Sequence, residues 1–113
     1  MIIEKVIINH LNEGLDGVQA HVTIPNTRPD SFVVVERTGG NIDNHVKYGM
    51  FVTDCYGPSL LAAADLCETV ISLMESLIEH DEVASVRLNS HYNDTDTALH
   101  EFKYGALFEI TYY

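Results

Sequence analysis

Apolar and polar residues along the chain follow two periods, and each change of period marks a new element. Apolar residues recur at helical spacing over residues 2–15, and Gly14 stands where a helix C terminus favours a left-handed residue. Over residues 18–24, apolar and polar residues alternate, which is typical of a half-buried strand, and Pro25 ends the run. The pattern thus predicts a helix followed by a first strand.

The central segment, residues 28–40, has the sequence RPDSFVVVERTGG. Its continuous β-prone run, FVVV, predicts a strand at residues 32–36 that is covered on both faces. The polar, glycine-rich stretch TGGNIDN, residues 38–44, is interpreted as a mobile loop, because its two glycines can supply positive φ. Alternation resumes at residues 46–55. We therefore expect the second and third strands to form a hairpin around this loop.

A long amphipathic helix is predicted after Gly57 and Pro58, which stop the third strand. Ser59 is placed as its N-cap, where the hydroxyl accepts a hydrogen bond from a free backbone N–H group. Apolar residues form one stripe and acidic residues mark the opposite face as far as about His80. The apolar face is wide enough to cover a sheet and also to contact either the first helix or another subunit.

Two further strands complete the pattern. Residues 83–92 predict a fourth strand, the NDTDT sequence of residues 93–97 predicts a polar turn, and the clean alternation of residues 102–112 predicts a fifth strand with an aromatic face. The order α-β-β-β-α-β-β predicts one α+β domain over residues 1–113, with an antiparallel or mixed sheet and the helices mainly on one face. A chain of this length can build a core without disulfide staples.

Charge is the unusual bulk property, since 17 acidic residues oppose 6 Lys and Arg, for a formal net charge of −11. The cations are scattered singly, and nucleic-acid affinity comes largely from clustered Lys and Arg, so we expect a poor DNA binder. The ordinary explanation of the negative charge is that it keeps the protein soluble. The second explanation is that the charge prevents the surface from binding DNA that passes by it. With no apolar run of membrane-spanning length and no basic, apolar leader, the protein is expected to stay in the cytoplasm.

Recognisable catalytic or ligand-binding motifs are not found in the sequence. The six histidines form no local ligand pair. Asp94 and Asp96 match only the first step of a calcium loop, so they are interpreted as turn residues, with weak divalent-ion binding at a subunit edge as the alternative. Cys55 and Cys67 are expected to be reduced core residues, a disulfide being the alternative. Glu36 has no second carboxylate at an interpretable spacing, and we predict no catalytic residue, no cofactor and no metal site.

Three segments resemble the small neck proteins of long-tailed bacteriophages and prophages, in the tail-completion or tail-terminator family. They are RPDSFVVVERTGG (28–40), FVTDCYGPSLLAAADLCETVISLM (51–74) and LNSHYNDTDTALHEFKYGALFEITYY (88–113). The resemblance implies a non-enzymatic subunit, made in the bacterial host cytoplasm and built into the virion, that forms a hexameric ring at the head-proximal end of the tail tube. Such a ring stops tube polymerisation and docks to the head. The implied partners are its own copies, the tail tube protein and a head-completion or connector protein, with DNA passing through and no membrane involved.

The predicted interface rests on loop character alone. It consists of Gly39, Gly40, Asn41, Ile42, Asp43 and Asn44, which we expect to contact a neighbouring subunit or the tail tube. Asp94 and Asp96 are candidates for acids that face the channel, where an acidic lining avoids trapping DNA. Two alternatives stay open: a head-completion or connector protein of the phage neck, and a small acidic ligand-binding domain or enzyme, since the aromatic residues of the last strand can line a pocket.

Overall fold

Two helices pack on one face of a five-stranded mixed sheet in the computed structural model, which describes residues 2–113. The elements in chain order are α1 (Ile3–Gly14), β1 (Ala20–His21), β2 (Phe32–Asp43), β3 (Val46–Gly57), α2 (Leu60–Glu75), a 3₁₀ helix (Ser76–Glu79), β4 (Val83–Asn93) and β5 (Phe102–Tyr112). The predicted order of elements and the predicted α+β class are confirmed. Within the described residues, neither helix is long and apolar enough to cross a membrane.

The sheet has the strand order β1-β2-β3-β5-β4. β1 runs parallel to β2, and every other neighbouring pair is antiparallel. α2 carries the chain from β3 to β4, past the position that β5 later fills between them. One side of the sheet therefore ends in β2, with the two-residue β1 beside it, and the other side ends in β4.

The main core lies between the helices and the sheet. Phe51 of β3 pairs with Phe108 of β5 in the ladder, and both rings are fully buried. Burying each ring stabilises the fold by roughly 1.5–3 kcal/mol relative to leaving it exposed. The helices contribute six side chains to the same cluster: Ile3, Ile7, Leu11, Cys67, Val70 and Met74. Since both helices share one cluster with the sheet, they cover the same sheet face, as predicted.

The opposite sheet face carries a smaller apolar cluster. Phe32 and Tyr56 are buried there, and their rings stack with centroids 4.4 Å apart. The Arg28 guanidinium lies 5.6 and 5.5 Å from the two centroids, and its Nη2 donates to Glu101 Oε1 at 3.0 Å. The residues that alternate with Phe32 in β2 are buried in the helix-side core instead. The predicted burial of this part of the strand on both faces is confirmed.

Side-chain hydrogen bonds mark both ends of α2. The Ser59 hydroxyl accepts from a backbone N–H of the first turn at 3.1 Å, which confirms the predicted N-cap. At the other end, the Leu73 carbonyl accepts from Ser76 Oγ and from His10 Nε2, each at 2.7 Å. The Leu73 carbonyl would accept a backbone hydrogen bond in a further α-helical turn, but these two side chains occupy it. The chain therefore continues as a 3₁₀ helix, where the sequence predicted α-helix.

Two predicted elements are wrong in extent. The strand expected at residues 18–24 contains only the two residues of β1, because the chain must then turn back to enter β2 in the parallel direction; Val22 and Ile24 are exposed. The loop expected at residues 38–44 is instead a continuation of β2, which pairs with β3 as far as Asp43. The ladder to β3 supplies the hydrogen bonds that hold this segment extended, although its residues have little strand propensity of their own.

Candidate interaction surface on the hairpin arm

The distal part of the β2–β3 hairpin, residues 38–50, is called the arm. A two-residue turn closes it: Asn44 and His45 have φ of 50° and 68°, the positive values that type I′ hairpin turns require. Asp43 pairs with Val46 on either side of this turn. Ile42, next to the tip, is 70% exposed. The arm is a regular strand pair that carries an exposed apolar side chain, and it contains every residue of the predicted interface.

The outer edge of β2 is open along the arm. β1 pairs with β2 only at Val33 and Val34, so within residues 2–113 no strand pairs with the outer side of residues 36–43. A β-bulge interrupts the ladder to β3 between Arg37 and Gly39. Beyond the bulge, the outer edge of β2 presents unpaired backbone N–H and C=O groups, to which another strand can hydrogen-bond.

A groove of about 910 Å³ separates the arm from the N-terminal end of α1. Ile2 and Glu4 line it from the helix side, and Gly39 and Gly40 line it from the arm. A Cβ atom on Gly40 would lie 2.5 Å from the carbonyl oxygen of Tyr48, so this position excludes every side chain. The arm wall of the groove is thus partly bare backbone.

Two cations lie near one aromatic ring in this groove. The Arg37 guanidinium and the Lys47 ammonium are each 5.9 Å from the centroid of the Tyr112 ring. Arg37 also donates a hydrogen bond to the Tyr112 hydroxyl, lies 5.2 Å from the centroid of Phe51 and is 3.7 Å from the Glu4 carboxylate. The charged residues that line the groove are Glu4, Arg37 and Lys47, so the lining carries a net positive charge in a chain of net charge −11.

Tyr48 and Glu109 form a hydrogen-bonded pair that links the arm to β5. The Tyr48 hydroxyl donates to Glu109 Oε1 at 2.7 Å, and the Asn89 amide donates to Oε2 at 3.2 Å. These two hydrogen bonds stabilise the carboxylate and lower the pKa of Glu109. The same bond to Glu109 raises the pKa of Tyr48.

Replacing Tyr48 with phenylalanine is expected to raise the pKa of Glu109 toward that of an ordinary glutamate, because the first of these hydrogen bonds is lost. A carboxyl group whose pKa is depressed by folding contributes stability above its unfolded-state pKa and loses that contribution as the pH falls through its folded-state pKa. Tyr48→Phe should therefore cost stability at neutral pH and not in acid. A carbon-13 NMR titration of Glu109 measures the pKa, and Tyr113→Phe, at an exposed tyrosine, is the control. An unchanged Glu109 pKa in Tyr48→Phe would contradict the assigned cause.

The structure places Asp94 and Asp96 far from the arm. Both lie in the connection between β4 and β5, where Asp94 is next to Lys103 and Asp96 is next to Glu101. Lys47 of the arm instead pairs with Tyr112 at the other end of β5. Nine residues of strand separate the two ends, on the order of 30 Å. The two groups of predicted site residues are therefore not brought together.

Local contacts hold both aspartates in place. Asp94 forms an ion pair with Lys103 at 3.0 Å. The Asp96 carboxylate accepts hydrogen bonds from the backbone N–H groups of Ala98 and Leu99 at 3.0 and 3.2 Å, as a turn residue does. Their interpretation as turn residues fits these contacts, while their exposure to a channel stays a prediction.

Sequence reasoning missed the cationic part of the groove. Arg37, Lys47 and Tyr112 come from three strands, and their proximity depends on the register of β3 against its two neighbours. The alternation in each strand indicates which residues share a face, but it does not give that register. One available signal of the hairpin turn was the Asn44-His45 pair, because asparagine is favoured in two-residue hairpin turns.

Metal-binding and nucleophilic groups are not clustered in the part of the chain that the structure describes. No group of three or more His, Cys, Asp or Glu side chains there could hold a metal ion. Cys55 and Cys67 are free and buried, which confirms the prediction of reduced core thiols. A hydrogen bond with Cys67, together with burial, raises the pKa of the Cys55 thiol well above its ordinary value, so Cys55 stays protonated at neutral pH. Glu36, at the end of the predicted central strand, is exposed.

Comparison with known proteins finds no protein-family model that matches this chain and no matching curated protein. The arm combines an open strand edge, an exposed isoleucine and a cationic groove on one side of the subunit.

Proposed function

We propose that the protein is a structural subunit of a bacteriophage neck, which forms a ring at the head-proximal end of the tail tube. The observation that carries the proposal is the open outer edge of β2 along the arm, with Ile42 exposed beside it. Proteins that work as monomers protect such edges, because an open edge pairs with other chains. An edge left open in a regular hairpin is suited to assembly, and the sequence resemblance favours a ring on a tail tube as the kind of assembly.

The proposed ring acts by occupying a surface rather than by chemistry. A closed ring needs a heterologous contact, in which one patch of a subunit meets a different patch of the next copy. Seated on the last ring of the tail tube protein, it covers the surface on which a further tube ring would add, and this ends polymerisation. Its other side is the surface that docks to the head-completion or connector protein.

The acidity of the chain suits a passage for DNA. Each phosphate that pairs with Lys or Arg adds affinity, and a protein of net charge −11 with dispersed cations offers few such contacts. DNA then passes through the ring without specific binding. Asp94 and Asp96 are the proposed channel-facing acids, and Lys103 beside Asp94 reduces the local negative charge.

Light scattering after size-exclusion chromatography, with and without magnesium, and negative-stain microscopy test this function. We expect a hexameric mass at high protein concentration and rings with a central channel, and we expect added protein to shorten tubes grown from the matching tail tube protein. Binding to the head connector without an effect on tube length would instead assign the alternative role of head-completion protein. A persistent monomer that neither binds tubes nor limits their length would contradict the proposal.

A ligand-binding domain is the second candidate, and one observation favours it. The groove beside the arm, at about 910 Å³, falls in the size range of small-molecule sites, which is about 300–1,000 Å³. Its two cations would select an anionic ligand. A thermal-shift screen of small anions separates the two candidates, because a saturable rise in melting temperature that requires Arg37 and Lys47 would favour ligand binding.

A further inference from the structure

Within residues 2–113 the sheet has two edges without a strand partner, and they lie on opposite sides of the subunit. One is the outer edge of β2 at residues 36–43, and the other is the outer edge of β4, whose strand neighbour is β5 alone. Two such edges can pair with each other between copies. That pairing is the heterologous kind of contact that a ring requires.

The two edges have the strand direction that such pairing needs. β2 is antiparallel to β3, β3 to β5, and β5 to β4, so β2 and β4 run in opposite directions. Copies related by rotation about an axis along the strands all keep the same strand direction. The β2 edge of one copy therefore meets the β4 edge of the next as an antiparallel pair, the arrangement with the more stable ladder.

The two edges also stand at the same height along the strands. Through β3 and β5, Asn41 of β2 is level with Ser85 of β4, and residues 39–42 are level with residues 83–87. Rotation about an axis along the strands leaves this height unchanged. Residues 39–42 of one copy therefore face residues 83–87 of the next.

β-Bulges limit how long the contact can be. β4 departs from regular pairing with β5 between Val83 and Ser85 and again between Leu88 and Ser90. The regular stretch between these bulges, residues 85–88, suffices for a short ladder, and the bulges restrain longer strand addition. On β2, residues 39–43 have the sequence GGNID and contain neither Lys nor Pro, the residues with which natural sheets block an edge.

The charges on the two sides are complementary. The arm side carries Arg37 and Lys47 in its groove. Three exposed acids stand immediately before β4: Glu79, Asp81 and Glu82. The carbonyl of Glu82 accepts from the backbone N–H of Tyr113 at 2.9 Å, which puts these acids at the end of the sheet where the arm tip lies. Arg87, the cation of β4, forms an ion pair with Glu109 at 3.9 Å, and no Lys or Arg lies between it and Lys47 in the sequence.

We propose that the outer edge of β2 in one copy pairs antiparallel with the outer edge of β4 in the next, residues 39–42 against residues 83–87, so that the sheets continue from subunit to subunit. The inference rests on the proposed ring and names the surfaces that close it. Ile42 then lies at the junction, and the acids before β4 approach the cationic groove of the neighbouring copy.

Cysteine cross-linking between two single variants tests this pairing. Asn41→Cys and Ser85→Cys each place a thiol at an exposed position, and both positions lie on the sheet face opposite the helices. Arg87→Cys, two residues further along β4 on the same face, allows for a shifted register. The native thiols are buried, so the wild-type protein serves as the background control. Asn41→Cys mixed with Asp65→Cys, exposed on α2, is the matched negative control.

We expect a disulfide-linked dimer on mild oxidation of Asn41→Cys mixed with Ser85→Cys or Arg87→Cys, and none from either variant alone or from the α2 control. A dimer formed by Asn41→Cys alone would overturn the inference, since it indicates symmetric pairing of two arms. Rings visible by microscopy without any cross-link from Asn41 to β4 would also overturn it while leaving the proposed function intact. Absence of rings under every condition, together with no binding to tubes and no effect on their length, contradicts the function itself. A cross-link found in that case still supports the contact, now in an open chain of copies.

Discussion

Gly40→Ala is expected to destabilise the folded protein by about 2–3 kcal/mol, the upper part of the usual range for single substitutions. The new Cβ atom would lie 2.5 Å from the Tyr48 carbonyl oxygen, which belongs to the backbone of the paired strand. If the contact were with a flexible side chain, that side chain could rotate away. A backbone carbonyl in the ladder can move away only if the two strands separate. Urea denaturation followed by circular dichroism measures the change in the free energy of unfolding.

Gly39→Ala is the matched control, one residue earlier on the same strand. No atom lies within 4 Å of a Cβ atom built at Gly39, so the substitution should change the free energy of unfolding by no more than about 0.5 kcal/mol. Equal effects of the two substitutions would contradict the pairing of Gly40 with Gly49 and, with it, the structure of the arm.

Shortening the arm is expected to abolish ring assembly while preserving the fold. Deleting Ile42, Asp43, Val46 and Lys47 leaves the Asn44-His45 turn in place, and the existing pair of Asn41 and Tyr48 then closes it. Two residues are removed from each strand, so every remaining side chain keeps its face. The fully buried rings of the core lie outside the deletion. Light scattering should show a monomer, and circular dichroism should show the same cooperative unfolding.

Leu99→Ser controls for the loss of an exposed apolar residue. Leu99 is 70% exposed, as is Ile42, but it lies in the connection between β4 and β5, away from the arm. It should leave assembly unchanged. Rings formed by the shortened protein would show that the arm is dispensable for assembly, and loss of cooperative unfolding would show that the arm belongs to the folding unit.

The sequence predicted best those elements whose pattern reflects the core. β5 was predicted at residues 102–112 and lies at Phe102–Tyr112, because its alternation follows burial beneath α2 on one face and partial exposure on the other. The arm strand was predicted as a loop because Thr, Gly, Asn and Asp favour turns locally. Its extended conformation comes from pairing with β3, which is a tertiary interaction.

The candidate site was predictable only as a segment. Residues 39–44 were singled out from loop character, and the structure places them on the arm, where residues 40–44 are exposed. Their role as an interface stays a prediction. The groove could not be foreseen, since it depends on how closely α1 approaches the arm. Arg37 and Tyr112, which hydrogen-bond there, are 75 positions apart. No local pattern encodes that contact.

The placement of β5 between β3 and β4 has a consequence for the order of folding. Thr53 of β3 pairs with Ala106 of β5, 53 residues later, whereas β2 and β3 join through a two-residue turn. The β2–β3 hairpin can close early, but the inner side of β3 stays without its partner until residues 102–112 are available. During that interval both sides of the hairpin are open to other chains. Newly made copies at high concentration are therefore at risk of joining through the wrong edge, and slow expression should yield more correctly folded subunits.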